Sequence, residues 1–568
     1  MKIEEKVGNK DFVDYLETQR GAAKSLRTSH EPQWKSINTF MAPRRSRFEE
    51  SDTDKGDRRW NAIINNIATK ALRTATAGML AGSMSPARPW FALSLLDPAI
   101  MERADVRLWL HGVEQVILAV LRTGNFYQTA QLVLKELLLY GTACMTHVDD
   151  FDAVAWFYQE PLGSFYIGID EKLNTNRLIR EFQWTVDNTV SKFGLENVSS
   201  QVKNAYDRGD HLQKVDIVHH IQPNNILDLT SPFARGKPYI GAYYEKGTPG
   251  QKQSSTELLG LEGFFERPFY APRWETTGTD VYGTECPGII ALGDTRQLQG
   301  QERRKAQAIE KMADPPLQGP SGLAGGEVVN LPGGLTIYDI GNDNKGIRKL
   351  YDVDLSVQEL RLDADAVERR IDDAFFVSLF LAISQMEGIQ PRNELDLTLR
   401  NDEKLLQLGP VLQNIHGDLL NLVITRTFNQ LVRGGAIPPA PDIIREQQLE
   451  VQYVSSLAQA QRAVATQGVD RVMNFALGVV AGGGDPTILD NLDTDWAVGE
   501  YSRLVGTSPR LIRAADQVAA IRQGRAQQQQ QQEQLDALSQ MSQAGQMLSQ
   551  TDLSGDNALA AITEGQDG

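Results

Sequence analysis

The chain has 568 residues, of which 41% are hydrophobic and 23% are charged, and its formal net charge is -16. This length corresponds to roughly three or four domains at about 150 residues each, and the ordinary composition excludes a collagen-like, wholly disordered or disulfide-rich protein. The acidity argues against a protein that grips nucleic acid over a wide basic face. The two cysteines, Cys144 and Cys286, are too few for a disulfide framework or a zinc site of their own.

The sequence also argues against secretion and against a membrane span. The first residues, MKIEEKVGNKDF, are charged and lack the apolar core of a signal peptide. The longest apolar run, AFFVSLFLAI at 374–383, is about half of the roughly twenty residues that a membrane-spanning helix needs. We therefore expect no signal peptide and no membrane partner.

The N-terminal part of the chain is predicted to be mainly helical, with strands after it. Apolar residues at helical spacing predict helices over Asp11–Ser25, Arg58–Ala81, Asp105–Thr123 and Tyr127–Leu139. From 142 to 184 the pattern changes to short alternating runs, such as FYIGID and RLIREFQW, which indicate strands.

The middle of the chain alternates between helix and strand. Residues 186–208 are predicted to be helical with a break near Phe193-Gly194, and 214–285 is rich in strands such as KVDIVHHI and PYIGAYYE. A long polar helix is predicted over 287–313, ended by Asp314-Pro315-Pro316, because a residue before proline disfavours helix. A glycine-rich, strand-like segment follows at 317–350.

The C-terminal part is again predicted to be helical. Two long helices, 355–383 and 399–433, flank a loop at 384–398, and 446–525 is helical with an interruption at Gly482-Gly483-Gly484. From Gln527 onward the chain is rich in glutamine and contains no Lys or Arg. Its last residues, 550–568, are expected to be disordered.

A search for catalytic or cofactor motifs finds none. The glycine-rich segment GLAGGEVVNLPGG at 322–334 lacks the lysine and hydroxyl of a phosphate-binding loop, and neither H-E-x-x-H nor G-x-S-x-G occurs. His219 and His220 are neighbours in a strand and face opposite sides, so we interpret them as a packed or surface pair. Asp149, Asp150 and Asp152 lack the Gly and Glu of a calcium loop, which favours a solvated turn. We therefore predict a protein that is not an enzyme and has no cofactor or metal.

The block from Pro268 to Pro320 is the most distinctive part of the sequence. It reads PFYAPRWETTGTDVYGTECPGIIALGDTRQLQGQERRKAQAIEKMADPPLQGP. An Ala-, Gln- and Arg-rich helix without a wide apolar stripe either is an exposed connector or packs against copies of itself. The block resembles the head-to-tail connector, or portal, family of short-tailed bacteriophages.

Further segments match this family in the same order and together span most of 25–445. They are EPQWKSINTFMAPRRSRF at 31–48, LRTGNFYQTAQLVLKELLLYGTACMTHVDD at 121–150, LIREFQWTVDNTVSKFG at 178–194 and EKLLQLGPVLQNIHGDLLNLVITRTFNQLVRGGAIPPAP at 403–441.

The resemblance implies a portal-type fold of the α+β class, predominantly helical, whose subunits form a ring around a DNA channel. The implied regions are a wing at 1–213 with 186–208 as a candidate first stem helix, a clip-containing region at 214–285, a stem helix at 286–313, wing strands and a long helix at 314–383, a channel loop at 384–398, a wing helix at 399–445, a crown at 446–525 and a Gln-rich acidic tail, partly disordered, at 526–568.

The resemblance also implies partners and a location. The ring usually has twelve subunits and lies at one capsid vertex of the virion, after assembly in the host cytoplasm. Its expected partners are terminase, tail adaptor proteins, the major capsid and scaffolding proteins, and double-stranded DNA that passes through the channel. An acidic channel suits passage, since a basic one would hold the phosphate charges by counterion release.

Two groups of residues are candidates for contact with DNA. In the loop at 384–398 we expect Arg392 at the narrowest point, with Met386, Gln390 and Asn393 as neighbours; the alternative is an exposed arginine paired with Glu394. In the stem helix, Arg303, Arg304 and Lys305 either face DNA or pair with acids of the next subunit, such as Glu302 or Glu310, and we favour the pairing. Two other functions remain open, another virion ring protein such as a tail adaptor or tube protein, and a soluble hydrolase with an unrecognised site.

Overall fold

The computed structural model describes residues 10–43, 45–48, 62–101, 103–224, 234–246, 258–319, 347–349, 357–385, 408–444, 449–454, 475–476, 478, 487, 492–493 and 515–549. The chain divides into two compact units. The first comprises Met1–Ala92, Val113–Pro439 and Val451–Leu489, and the second comprises Leu93–Gly112, Ala440–Glu450 and Asp490–Gly568.

The fold is mixed helix and sheet, as the α+β prediction requires. The helices are α1 (Lys10–Thr28), α2 (Glu31–Met41), α3 (Ile67–Ser83), α4 (Pro98–Met101), α5 (Ala104–Thr123), α6 (Phe126–Tyr140), α7 (Val186–Phe193), α8 (Ser200–Asp207), α9 (Pro287–Ile290), α10 (Leu292–Ala313), α11 (Val357–Ala374), α12 (Val377–Gln385), α13 (Asn421–Arg433) and α14 (Ala515–Ser549). Residues 408–415 are also helical and lead through a π-helical turn, His416–Leu420, into α13.

The strands form four sheets. They are β1 (Phe91–Leu95), β2 (Cys144–Asp150), β3 (Val154–Glu160), β4 (Phe165–Ile169), β5 (Thr175–Thr185), β6 (Lys214–Pro223), β7 (Tyr239–Glu245), β8 (Gly260–Phe264), β9 (Phe269–Tyr270), β10 (Leu317–Gln318), β11 (Arg348–Lys349) and β12 (Leu449–Tyr453). The strand orders are β4-β5-β6-β7-β8, β3-β2-β9, β1-β12 and β10-β11.

The five-stranded sheet is an antiparallel meander covered by helices on both faces. One face packs against α1, where Phe12 and Leu16 meet Val218 and Tyr244 in a buried cluster. The opposite face packs against α7 and α8, where Val186 and the helix residues near it cover Ile217 and Tyr243. Neighbouring residues of a strand point to opposite faces, so this three-layer arrangement explains why β6 is buried continuously from Ile217 to Gln222.

A helical layer surrounds the smaller three-stranded sheet. The ring of Phe157 in β3 meets the ring of Phe126 in α6 with centroids 5.3 Å apart. Helix α6 also packs against α3, and α3 in turn packs against α12. Gly78 allows α3 and α12 to approach closely, because a Cβ at this position would lie 2.4 Å from the Cβ of Phe380.

The predicted helices near the N-terminus are confirmed, with one correction. The structure has α1, α5 and α6 where helical spacing predicted them, and strands β2 to β5 between 142 and 185. The helix predicted over Arg58–Ala81 is wrong at its start, since α3 begins at Ile67 and the described residues before it, 62–66, are not helical. The backbone N–H groups of Ile64 and Asn65 instead donate to the side chain of Gln299.

The helix predicted over 355–383 is interrupted. The structure ends α11 at Ala374 and begins α12 at Val377, and Phe376 has a left-handed backbone with φ of 54°. The turn lets Phe375, Leu379 and Phe380 all be buried. Burial of these three side chains therefore outweighs the cost of a left-handed residue, which is about 1–2 kcal/mol.

Two further differences concern strands that the sequence pattern did not reveal. Phe91–Leu95 is a strand within the region predicted to be helical, and its partner Leu449–Tyr453 corrects the start of the helical prediction over 446–525. The N–H of Val454 donates to the carbonyl of Trp90 at 3.0 Å, and the rings of Trp90 and Tyr453 stack. The segment 186–208 is two helices of eight residues each, α7 and α8, with Gly194 left-handed between them, as the predicted break indicated.

Candidate functional site

The long polar helix singled out by the sequence is α10, and the short helix α9 anchors its start. Pro287 lies in the first turn of α9, where a missing N–H costs nothing. Gly288 lies so close to α6 that a Cβ there would be 2.3 Å from the carbonyl oxygen of Leu139. The Cys286 thiol donates to the same oxygen at 3.3 Å. The α9–α10 segment is therefore fixed against α6 at its beginning.

The first half of α10 is packed, and α11 lies antiparallel beside it. Arg370 donates two hydrogen bonds to Asp294 at 2.9 and 3.0 Å, and Gln301 donates to Asp363. Seven residues forward on α10 thus correspond to seven residues backward on α11. The buried positions of α10 in this half are Leu292, Thr295, Leu298 and Gln299.

Gln299 joins α10 to the segment that precedes α3. Its Oε1 accepts from the backbone N–H groups of Ile64 at 2.6 Å and Asn65 at 2.9 Å, and its Nε2 donates to the carbonyl of Asn65 at 2.7 Å. One buried amide side chain therefore satisfies three backbone groups that would otherwise lack partners.

The end of α10 extends beyond this packed layer. If the register of the two ion-pair and hydrogen-bond contacts is continued, residues 309–313 run past Val357, where α11 begins. Ile309 and Met312 are 47% and 45% exposed, and Leu317, just after the helix, is 40% exposed. Residues three apart share one helix face, so Ile309 and Met312 form an apolar surface that the described residues leave about half exposed, at the end of a mostly polar helix.

The three cations predicted in the stem helix, Arg303, Arg304 and Lys305, are in the second half of α10, before its projecting end. Arg303 and Arg304 are exposed. The Nζ of Lys305 lies 2.7 Å from Oε1 of Glu302, one turn earlier on the same helix. Within one chain the acid that Lys305 meets is therefore Glu302, and pairing with the next subunit stays a prediction. The loop residues Met386, Gln390, Arg392 and Asn393 lie outside the described residues.

The histidine pair is packed inside the five-stranded sheet and is shielded from solvent. His219 and His220 are both buried, as one of the two sequence interpretations predicted. Burial lowers the pKa of His219 well below its usual value, and the neighbouring Arg180 guanidinium adds to this effect. Arg180 bonds to His219 Nδ1 at 3.0 Å and forms an ion pair with Glu160. The charges of Arg180 and Glu160 therefore pair with each other within the fold.

The described part of the chain offers no other chemical centre. It contains no group of three or more His, Cys, Asp or Glu residues arranged to hold a metal ion. Cys144 and Cys286 are both buried free thiols, and burial raises the pKa of each. A shallow cleft at the start of α3, lined by Asn65, Lys70, Glu302 and Glu368 among others, is polar and open. Among the helices that the structure describes, none combines the length and apolarity needed to cross a membrane.

The sequence identified the helix but not the part of it that is uncovered. The signal was present in the order of residues, because Ile309 and Met312 are three apart and come directly before the stop at Asp314-Pro315-Pro316. The packed part of α10 depends on where α11 begins and on how the two helices are aligned. The sequence pattern predicted a start at 355 but gave no alignment of one helix against the other.

Comparison with known proteins gives concordant results. The model of a family described as bacteriophage head to tail connecting protein matches residues 14–512. A probable portal protein of Bordetella phage BPP-1 is 37% identical over 544 residues, and the portal protein of Salmonella phage epsilon15 is 35% identical over 544 residues. Each alignment covers 96% of this chain and 96% of the relative.

Proposed function

Since the chain belongs to the family of bacteriophage head-to-tail connecting proteins, as its sequence pattern predicted, we propose that it is the repeating subunit of a closed portal ring at one vertex of the capsid. In this ring, with twelve subunits expected, DNA enters the head during packaging and leaves during ejection. One relative is named a probable portal protein and the other a portal protein, and each alignment covers 96% of the relative. This coverage supports one continuous portal-type subunit.

The observation that carries the proposal is the uncovered end of α10. This helix lies inside the matched family segment, and its last turns expose Ile309 and Met312 beyond the reach of α11. Apolar side chains that stay exposed among the described residues of a chain are typical of a protein–protein interface. A ring supplies such a cover through head-to-tail contacts between identical subunits, provided that the contacts close.

The regions implied by the family define the remaining partners. The strand-rich part at 214–285 is proposed to hold the clip, which docks terminase and later the tail adaptor proteins. The segment at 446–525 is proposed to form the crown inside the head, and the wing regions are proposed to meet the capsid and scaffolding proteins. The segment 186–208 is a weaker candidate for the first stem helix, because each of its two helices has eight residues and is thus about 12 Å long.

Contact with DNA is proposed to be brief. Each subunit carries a formal charge of -16, and an acidic channel wall does not release counterions from DNA as a basic wall would. Arg392 is proposed to approach the phosphates at the narrowest point, with Met386, Gln390 and Asn393 beside it. Arg303 and Arg304, both exposed, are proposed for the channel wall or for pairing between subunits.

We propose a structural and non-enzymatic role. The ATP hydrolysis that drives packaging would belong to terminase, in agreement with the lack of a phosphate-binding loop motif in the sequence. The remaining alternative is another ring of the virion, such as a tail adaptor. A soluble hydrolase has less support, since the polar and titratable groups described above are used in packing.

Native mass spectrometry and negative-stain images of the purified full-length chain test this function. We expect a closed ring of about twelve copies with a central channel. Pull-down of the cognate terminase by the ring distinguishes a portal from a tail adaptor. A chain that stays monomeric at micromolar and higher concentrations, or a ring that binds tail proteins but never terminase, would contradict the proposal.

A further inference from the structure

The hairpin of β2 and β3 exposes an apolar face at its outer end. The register pairs Val148 with Trp156 and Thr146 with Tyr158, so these side chains share one face of the hairpin. Val148 is 46% exposed and Tyr158 is 52% exposed, while Trp156 is half-buried. Phe151 lies fully exposed in the connecting turn. We call these four residues, Val148, Phe151, Trp156 and Tyr158, the hairpin shelf.

The sequence of β3 is typical of a strand that is buried on both faces. Ala155 and Phe157 are buried on one side, while Val154, Trp156 and Tyr158 occupy the other. A strand with one solvated face normally alternates apolar and polar residues, whereas a continuous apolar run indicates a strand covered on both faces. The inner part of the shelf side is covered at Thr146 and Glu160, whereas no described residue covers its outer part.

The turn that carries the shelf is held rigidly and is acidic. The carboxylate of Asp150 accepts from the backbone N–H groups of Asp152 at 2.8 Å and Ala153 at 3.0 Å. The turn ends at Val154, which has a left-handed backbone with φ of 67°, uncommon for a β-branched residue. The turn therefore places the exposed ring of Phe151 beside the exposed carboxylate of Asp152.

A surface of complementary character lies elsewhere on the same chain. Leu132 in α6 is 39% exposed, and its carbonyl oxygen accepts from Arg45 at 2.7 Å. Lys135 is one turn further along α6, and Arg73 is exposed on the adjacent helix α3. Burial lowers the pKa of Lys135, and the charges of Arg45 and Arg73 lower it further, so both arginines are close enough to repel Lys135. We call Arg45, Arg73, Leu132 and Lys135 the basic cluster.

The acid beside the basic cluster does not neutralise it. Glu136 lies 3.7 Å from Arg45, between Oε1 and Nε, and is completely buried. Burial raises the pKa of Glu136, which disfavours the charged form of its carboxyl. Among the described residues three cations therefore face one buried acid, so the cluster has an excess of positive charge around an exposed leucine.

The two surfaces face different ways. The hairpin side opposite the shelf packs against α6 through Phe157 and Phe126, so the shelf faces away from α6, whereas the basic cluster lies on the exposed sides of α6 and α3. The shelf and the cluster of one chain therefore cannot cover each other, but those of two copies can. Two different patches that meet between identical copies make a head-to-tail contact, which gives a ring when the rotation between successive copies closes.

We propose that the hairpin shelf of one subunit docks on the basic cluster of the next, with Phe151 against Leu132 and Asp152 facing Arg73. The occupant of the shelf is thus a second copy of this chain. This inference rests on the proposed ring and adds to it a specific subunit contact separate from the end of α10. Aromatic residues and arginine are enriched at the centres of such contacts.

Charge reversal tests the contact directly. We expect Asp152→Lys and Arg73→Glu, each alone, to raise by about tenfold or more the concentration at which half of the chains are in rings, because each places like charges opposite one another. Mixing the two single variants should restore rings in which the two kinds of subunit alternate. Each contact in such a ring joins either the two reversed side chains or the two original ones. Both combinations bring opposite charges together. Asp150 is left unchanged because it holds the turn.

Matched controls separate this contact from general effects of charge and apolarity. Glu171→Lys reverses another exposed acid in a hairpin turn, and Leu212→Asn removes another exposed apolar side chain; neither should change assembly. Phe151→Asn should weaken assembly as Asp152→Lys does. Circular dichroism of each variant, equal to that of the unchanged chain, verifies the fold.

The outcomes distinguish the contact from the function. If the unchanged chain forms no ring, the proposed function fails. If it forms rings and Asp152→Lys, Arg73→Glu and Phe151→Asn all assemble as well as the controls, the ring stands and the contact is refuted. Loss of rings in the single variants without recovery in their mixture would also overturn the proposed pairing.

Discussion

At the scale of single residues, His220 shows how far a sequence pattern reaches. Alternation along the strand predicted that His219 and His220 face opposite sides, and the structure buries both. The pattern left open whether the pair lies in the core or at the surface, because that depends on α1 and on α7 and α8, which cover the two faces of the sheet. Neither ring nitrogen of His220 has a hydrogen-bond partner among the described residues.

This burial makes the stability of the chain sensitive to acid. Burial lowers the pKa of His220 from 6.5 to about 3. Below pH 6.5 the unfolded chain therefore binds a proton that the folded chain does not, and stability is lost as the pH falls toward 3. For this one group the loss between pH 6.5 and pH 5 is about 2 kcal/mol. His219 shifts in the same direction and adds to the effect.

Urea unfolding midpoints at pH 7.5, 6 and 5 test this prediction. The midpoint of the unchanged chain should fall with pH, and His220→Phe should reduce the fall because the variant cannot bind the proton in the unfolded state. His211→Asn, at an exposed histidine, should leave the pH dependence unchanged. Equal slopes for His220→Phe and the unchanged chain would show that His220 titrates normally in the fold.

Gln299 shows what sequence cannot supply at the same scale. A glutamine in a polar, Gln-rich helix gives no sign that it will be buried and bond to a backbone segment 234 and 235 positions away. The contact explains why the helix predicted from Arg58 starts instead at Ile67. A side chain that satisfies backbone donors outside helix geometry stabilises the non-helical alternative, and apolar periodicity does not report such a contact.

At the scale of elements, the length and spacing of apolar runs were sufficient to predict a helix where its packing is local. Helices α5 and α6 were predicted to within a few residues, because their apolar stripes are continuous. The prediction was wrong where a tertiary contact decides the element. The break at Phe376 lets α11 and α12 bury separate faces, and Phe91–Leu95 becomes a strand through pairing with Leu449–Tyr453, far away in the sequence.

The projecting end of α10 leads to a prediction at this scale. Replacing both Ile309 and Met312 by Asn leaves the packed first half of α10 intact, since no described contact of that half involves them. We expect the variant to fold normally but to assemble at about tenfold higher concentration, because two apolar side chains then lose their burial between subunits. Sedimentation velocity over a concentration series measures the shift.

A control for this variant is Gln307→Asn together with Lys311→Gln, at exposed polar positions of the same turns. Its assembly should match that of the unchanged chain. If Ile309→Asn with Met312→Asn also assembles normally, the end of α10 is exposed in the ring and does not form a subunit contact, and the observation that carries the proposed function would need replacement.

At the scale of the whole molecule, net charge and apolar surface have opposite effects on the association of copies. A net charge of -16 per chain makes copies repel one another at long range, and this repulsion is screened beyond about 8–10 Å at physiological salt. In the proposed ring, short-range contacts such as apolar ends and paired patches would therefore have to provide the association. The same negative charge would suit the proposed channel, because an acidic wall does not retain DNA.

The last helix of the chain tests which parts of the molecule are needed for this assembly. The family match ends at residue 512, and α14, Ala515–Ser549, lies beyond it. Nearly all its described side chains are exposed, and from Gln527 it contains no Lys or Arg that could form stabilising pairs along the helix. Removing residues 515–568 should therefore leave the apparent melting temperature and the ring, seen by native mass spectrometry, unchanged. Loss of the ring would instead mean that α14 is covered by other copies, because a long helix without packing or charge pairs draws little stability from its own sequence.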